Sequence, residues 1–125
     1  MEDMGIPAYV PHKDTSHIDP TPLKIYETDM KALNKAQILI AEVSHPGLGT
    51  GMEIGISLER GIPVICLAQR GSDVSLLLLG AKEKGLVEFI EYEDWDDCLR
   101  RLRKLVEMKY KDNIIRKLQK IGSFP

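Results

Sequence analysis

The sequence predicts an α/β fold in which helices cover a parallel sheet. Short runs rich in isoleucine, leucine and valine alternate with longer stretches in which apolar residues recur at helical spacing. Such continuously apolar strands are typical of parallel sheets that are buried on both faces. Their alternation with helices indicates right-handed βαβ crossovers. We therefore expect a three-layer Rossmann-like (flavodoxin-like) sheet in a single domain over residues 1–125.

The individual elements follow from the same patterns and from their boundary residues. Thr21 is a candidate N-cap with Pro22 at the first helical position, and Gly61 is a natural stop for the second helix. The predicted strands are Ile6–Val10, Gln37–Val43, Ile62–Ala68 and Leu86–Tyr92. The predicted helices run from Thr21 to Lys35, from Thr50 to Gly61, from Asp73 to Lys84 and, as a long amphipathic helix, from about Asp94 toward Lys120.

The amino-terminal residues do not show the first β-α unit that a complete fold of this class would have. The residues EDMG lead directly into the first predicted strand, so the sequence predicts a sheet that lacks the first β-α unit. In doubly wound folds that unit supplies a central strand and a ligand loop. Either the protein is a reduced version of the fold or the sequence starts late, and both interpretations stay open.

Composition narrows the class of function. The chain has 125 residues, of which 43% are hydrophobic, and this suffices for one core. The net charge of −2 gives no overall attraction to nucleic-acid polymers or anionic membranes, and no apolar run approaches the roughly 20 residues that cross a bilayer. We expect a soluble, cytoplasmic protein. Cys66 and Cys98 are expected to be buried or unreactive thiols, and no metal-ligand spacing is present.

The most informative segment is PGLGTGMEIG, Pro46–Gly55, a glycine-rich turn that directly follows a predicted strand. Glu53 is expected on the surface of the first turn of the next helix. Ligands of open α/β sheets bind at the carboxyl ends of strands, where helix amino ends offer free N–H groups. A carboxylate there can contact a ligand, although the helix dipole alone also favours an acid at this place. Glu42, inside a predicted strand, needs either a structural partner or a ligand if it is buried.

The run QILIAEVSHPGLGTGMEIG, followed by GIPVICL, resembles the nucleoside 2-deoxyribosyltransferase superfamily, especially the 2′-deoxynucleoside 5′-phosphate N-hydrolases, and ETDMKALNKA is a second match. The resemblance implies cleavage or transfer at the N-glycosidic bond of a nucleoside or nucleotide, without metal or organic cofactor. It implies that Glu53 is the nucleophile and that Asp29 contacts the sugar and helps to protonate the leaving base. It also implies that Ser75 binds the 5′-phosphate of the neighbouring subunit's ligand.

Further candidate ligand contacts lie in the glycine-rich turn and in the loop after the first strand. Alternating glycines allow close approach of the backbone to a sugar or phosphate. The candidates are Gly47, Gly49, Thr50, Gly51 and, at the expected pocket mouth, His12. Gly47 occupies the position of a phosphate-binding serine of the family, whose opening strand and glycine-serine loop have no counterpart here. We therefore expect weak turnover from this chain.

Two other functions fit parts of the pattern. A phosphoribohydrolase of the lysine-decarboxylase-like group carries PGGxGTxxE, where this chain has Leu48 at the second glycine. A nucleotide-binding module without catalysis is compatible with the missing first unit. Four consecutive leucines cannot all face the core from one helix, so we also expect a homo-oligomer, most simply a dimer, with Ser75–Leu79 at its interface.

Overall fold

The computed structural model describes residues 8–9, 21–45 and 47–110. In these residues four parallel strands form one sheet in the order β1-β2-β3-β4, which confirms the predicted α/β architecture. The strands are β1 (Ala8–Tyr9), β2 (Ile38–Glu42), β3 (Val64–Gln69) and β4 (Glu88–Tyr92). The helices are α1 (Pro22–Lys35), α2 (Leu48–Glu59), α3 (Leu76–Glu83) and α4 (Trp95–Leu105), which continues as a π-helical turn over Val106–Tyr110.

Helices cover both faces of the sheet, giving three layers. One face packs against α4, which buries Leu102 there. The other face packs against α1, α2 and α3, with Leu33 and Ile54 in its core. Each crossover moves the chain one strand along the sheet, so α2 lies between α1 and α3. This central position gives α2 two flanks, one facing each neighbouring helix.

Two helix starts differ from the prediction. Helix α2 begins at Leu48 rather than near Thr50, because Gly47 acts as its N-cap and the carbonyl of Gly47 already accepts from the N–H of Gly51 at 3.0 Å. Helix α3 begins at Leu76 rather than Asp73, because Ser75 has an extended backbone with ψ of 132°. The first difference moves every side chain of α2 half a turn further from the helix start than expected.

Other predicted elements are confirmed within the described residues. Asp94 caps α4, since its carboxylate accepts from the N–H groups of Asp96 and Asp97, each at 3.3 Å. The predicted continuation of this helix toward Lys120 passes out of the described residues after position 110, and of the predicted strand Ile6–Val10 only β1 is described. None of the described helices is both long enough and apolar enough to span a lipid bilayer.

The two cysteines are free and buried, as expected. Cys66 lies in the centre of β3, where burial raises the pKa of its thiol from 9.0 to about 12. Burial also raises the pKa of Cys98. Because the thiolate is the reactive form, neither side chain is a candidate nucleophile at neutral pH.

Candidate active site

Glu53 lies in the second turn of α2, and its side chain is buried rather than exposed to solvent. Only 7% of the residue is exposed, and Ile54 and Ser57 are buried beside it. The expectation of a first-turn surface acid was wrong, because the helix starts earlier and this side of α2 packs against the sheet and α1. A carboxyl at such a depth loses hydration, so its ionised form requires compensation from neighbouring groups.

The neighbouring group is a second carboxyl, that of Asp29 on α1. Asp29 is half-buried, and Glu53 Oε2 and Asp29 Oδ1 are both buried with no hydrogen-bond partner among the described residues when both acids are ionised. Two carboxylates offer only acceptors, whereas a single proton allows one of them to donate to the other. The two acids therefore form a pair that is suited to sharing one proton.

Electrostatics of the pair follow from this geometry. Burial, then a hydrogen bond with Asp29, then repulsion from its negative charge raise the pKa of Glu53 from 4.5 to about 7. Glu53 can thus exchange its proton near neutral pH, which suits general acid–base catalysis, and its ionised form can act as a nucleophile. The exposed ends of the two helices are also joined, since the Arg60 guanidinium donates to the side-chain oxygen of Asn34 in a short hydrogen bond.

A largely apolar pocket of about 210 Å³ lies on the other flank of α2, between this helix and α3. Helix α2 contributes Thr50, Gly51 and Ile54, and α3 contributes Leu77 and Leu78. The pocket is completed by Val43, His45, Gly47, Gly55, Leu58, Ser75 and Ala81. Neither Glu53 nor Asp29 lines it, so the helix separates the carboxyl pair from the pocket.

The predicted site residues thus fall into two groups. Glu53 and Asp29 meet on the α1 flank of α2, whereas Gly47, Thr50, Gly51 and Ser75 meet at the pocket on the α3 flank. Gly49 is exposed on α2 and does not line the pocket. His12 lies outside the described residues.

The glycines of α2 are not required by the packing of the described residues. A Cβ atom added to Gly49, Gly51 or Gly55 would meet no atom within 4 Å. Glycine inside a helix costs roughly 0.5–1 kcal/mol relative to alanine. Among the described residues, no atom occupies the space next to these glycines, which leaves room there for a ligand or a second chain.

Sequence reasoning missed three polar residues near these groups. Ser57 lies one turn after Glu53 and is fully buried, and its hydroxyl has no hydrogen-bond partner among the described residues. Ser44 and Tyr92 both donate hydrogen bonds to Glu42 at the carboxyl ends of the strands. The spacing of Ser57 from Glu53, four residues on one helix, was the one signal available in the sequence.

The sequence model of the family described as nucleoside 2-deoxyribosyltransferase matches residues 1–113. The chain belongs to this family. The match confirms the resemblance carried by the glycine-rich turn and by the segment that contains Asp29.

Three individual proteins that resemble this chain in sequence support its place in the family. The "Putative 2′-deoxynucleoside 5′-phosphate N-hydrolase 1" of Thermofilum pendens is 38% identical over 88 residues, which cover 69% of this chain and 61% of the relative. A protein of the same description from Methanococcoides burtonii is 45% identical over 48% of this chain and 49% of the relative. The 5-hydroxymethyl-dUMP N-hydrolase of Rattus norvegicus is 33% identical over 56% of this chain and 44% of the relative. The matches thus span between 44% and 61% of these relatives' length.

The fold of this nucleoside 2-deoxyribosyltransferase family member also matches a solved structure. The CMP N-glycosidase of Clostridium botulinum superposes with a TM-score of 0.61 over 72% of this chain and 73% of that chain. Sequence identity between the two is 24%. The comparison confirms the α/β fold.

The raised pKa of Glu53 predicts how the stability of the fold depends on pH. Between pH 4.5 and about 7 the folded chain holds a proton that the unfolded chain has released, so this proton stabilises the fold fully below pH 4.5 and ceases to do so as pH rises through about 7. We expect Glu53→Gln, which mimics the protonated acid, to be more stable than the parent by about 1–2 kcal/mol above pH 7.5, after allowance for solvent screening. Urea unfolding at pH 4.5 and 8 measures this difference.

Glu59→Gln is the matched control, because Glu59 is exposed at the end of the same helix. Its stability should follow the parent at both pH values. Equal stability of Glu53→Gln and the parent at pH 8 would show that Glu53 is ionised without penalty in the folded chain.

Proposed function

We propose that this protein cleaves the N-glycosidic bond of deoxynucleoside 5′-monophosphates, with Glu53 as nucleophile and Asp29 as the acid that protonates the leaving base. The observation that carries the proposal is the contact between the buried Glu53 carboxyl and that of Asp29, with the pKa of Glu53 raised to about 7 by burial and by this neighbour. Glycosidic cleavage passes through an oxocarbenium-like state, which needs one carboxylate at the anomeric carbon and one proton donor for the leaving group. A pair that holds one proton supplies both.

The proposed reaction has two steps. In the first, the shared proton moves to Asp29, and ionised Glu53 forms a bond to the anomeric carbon while the carbon–nitrogen bond breaks. The electron pair of that bond leaves with the base, which takes the proton from Asp29. In the second, a water oxygen attacks the same carbon and gives a proton to Asp29, and the bond to Glu53 breaks with its electrons returning to the carboxylate. The products are free base and 2-deoxyribose 5-phosphate. If a second base attacks in place of water, the same step transfers the deoxyribosyl phosphate to that base.

The substrate class rests on the names of the relatives. Two of them are described as acting on a 2′-deoxynucleoside 5′-phosphate or on 5-hydroxymethyl-dUMP, and each of these is a deoxynucleoside monophosphate. We propose that the protein acts in the cytoplasm on this small-molecule substrate.

The pocket on the α3 flank has a separate part in the proposal. Helix α2 separates Ser75 from the Glu53 of its own chain, so Ser75 reaches a carboxyl pair only in a second copy that packs against this flank. The family resemblance, in which such a serine binds the phosphate of the neighbouring subunit's ligand, favours the same arrangement. We therefore propose a homodimer in which Gly47, Thr50, Gly51 and Ser75 bind nucleotide close to the subunit interface.

Two alternatives remain as outcomes of the test. The family match favours the deoxyribosyl reaction over that of the lysine-decarboxylase-like phosphoribohydrolases, which would be revealed by release of base from ribonucleoside monophosphates alone. A nucleotide-binding module without catalysis would bind deoxynucleoside monophosphates and release no base from any of them.

Base release tests the catalytic assignment directly. Incubation with each of the common deoxynucleoside monophosphates should yield free base, slowly, as detected by reversed-phase chromatography over hours. Glu53→Gln should lower the rate by at least about a thousandfold, because the amide neither attacks carbon nor carries the charge. Asp29→Asn should lower kcat about a hundredfold with a smaller change in KM, the range typical of losing a general acid.

Matched controls exist on both helices. Glu59→Gln on α2 and Glu27→Gln on α1 replace exposed acids and should retain the parent rate. Full activity in Glu53→Gln would refute the proposed nucleophile, and an Asp29→Asn defect confined to KM would refute the proposed acid.

Oligomeric state tests the interface at α3. Leu76 and Leu77 are 84% and 86% exposed, and this agrees with a surface that a second chain covers. We expect a dimer in sedimentation velocity at micromolar concentration, and a monomer after Leu76→Lys and Leu77→Lys together. Leu99→Lys, at an exposed leucine of α4 on the opposite face of the sheet, is the control that should stay dimeric. A parent chain that sediments as a monomer would remove the interface and the proposed contribution of Ser75.

A further inference from the structure

A chain of hydrogen bonds crosses the carboxyl ends of β2, β3 and β4, and Glu42 lies at its centre. Glu42 Oε1 accepts from the Ser44 N–H at 2.7 Å, and Glu42 Oε2 accepts from the Ser44 hydroxyl at 2.8 Å. The Tyr92 hydroxyl donates to the same Oε2 in a short hydrogen bond. One carboxylate therefore joins the turn that follows β2 to the end of β4.

The hydrogen-bonded chain continues from Ser44 into the loop that precedes α3. Ser44 Oγ accepts from the backbone N–H of Gln69 at 2.7 Å. The carbonyl of Gln69 accepts from the Ser72 N–H at 3.1 Å and from the Ser72 hydroxyl at 2.5 Å, and the Val74 N–H donates to the carbonyl of Ser72 at 3.1 Å. Both loop segments that line the pocket are thus connected to Glu42 through a series of hydrogen bonds.

The three donors that surround the Glu42 side chain suit a carboxylate at this position. A carboxylate offers only acceptors and can receive all three donors, and such charge-assisted hydrogen bonds are stronger than those between neutral groups. A glutamine of the same size would turn an NH₂ group toward one of the donors and lose that hydrogen bond. The network is therefore specific for glutamate at this place rather than for a polar side chain of its size.

We infer that Glu42 is a positioning residue for nucleotide binding: its carboxylate fixes the two segments that carry Gly47 and Ser75. The inference rests on the proposed function, because it takes Gly47 and Ser75 as ligand contacts. The Glu53–Asp29 pair lies on the other flank of α2, so we expect a change at Glu42 to affect it less than these segments.

The test separates binding from chemistry in Glu42→Gln. With thymidine 5′-monophosphate as probe, its KM and its Kd in isothermal titration should rise about tenfold, the loss expected from one charge-assisted hydrogen bond, while kcat changes less than about threefold. Tyr92→Phe removes one donor without changing the size of the ring and should give a smaller rise in KM. Glu93→Gln is the control, because Glu93 is exposed like Glu42 and accepts from Arg70 at the same edge of the sheet, but lies outside the network.

Amide hydrogen exchange gives a readout that does not require activity. In Glu42→Gln we expect faster exchange over residues 44–51 and 69–75 and unchanged exchange in α1. If the parent neither binds nor cleaves any deoxynucleoside monophosphate, the proposed function fails, and exchange alone then decides whether Glu42 fixes these segments. A lowered melting temperature with unchanged KM, Kd and exchange in the two segments would assign Glu42 a purely structural role and overturn the inference. If Glu42→Gln does not fold, the same measurements are made on Tyr92→Phe.

Discussion

Burial of the Glu53 carboxyl against that of Asp29 is the constraint on which the chemistry of this site depends. Burial between α1 and α2 removes the Glu53 carboxyl from water, and the hydrogen bond with Asp29 and its negative charge add to this effect, so the pKa of Glu53 rises to about 7. Above neutral pH, ionisation of Glu53 lowers the free energy of unfolding, and such destabilising groups are common in active sites. A carboxyl that exchanges its proton near pH 7 can act either as an acid or as a nucleophile.

The sheet topology explains why α2 carries both functional groups. In the order β1-β2-β3-β4, α2 lies between the helices of the neighbouring crossovers, and the turn before it stands at the carboxyl end of a central strand. One flank of α2 presents Glu53 to Asp29, and the other presents Thr50 and Gly51 to the pocket. A single short helix therefore connects the proposed reacting groups with the surface through which this chain would contribute contacts to a second subunit.

Periodicity and turn residues predicted much of the fold. The strands at Gln37–Val43 and Ile62–Ala68 are continuous apolar runs, and the structure places β2 and β3 within them or displaced by one or two residues. The start of α2 was predicted less accurately than these strands. Gly49 and Gly51 have low helix propensity, so the sequence indicated a turn where the helix has already begun. This early start is what moved Glu53 out of the first turn and into the interior.

The site was predictable in part. The family resemblance selected Glu53 and Asp29, and the structure brings these two together, although their catalytic roles stay predictions. Sequence could not reveal that α2 separates them from Ser75, because that depends on the lateral order of helices on the sheet. Nor could it reveal the partners of Glu42, since Tyr92 lies 50 residues away and meets it only across three strands.

Trapping the covalent intermediate tests the central claim most directly. A deoxynucleoside monophosphate with fluorine at the 2-position of the sugar destabilises the oxocarbenium-like state and slows both steps, while a good leaving base lets the first step proceed. After incubation, peptide mapping by mass spectrometry should find the fluorinated sugar phosphate esterified to Glu53. Sugar phosphate on Asp29 or on another acid, or release of the base from the analogue with no labelled protein at any time, would contradict the assignment of Glu53 as the nucleophile.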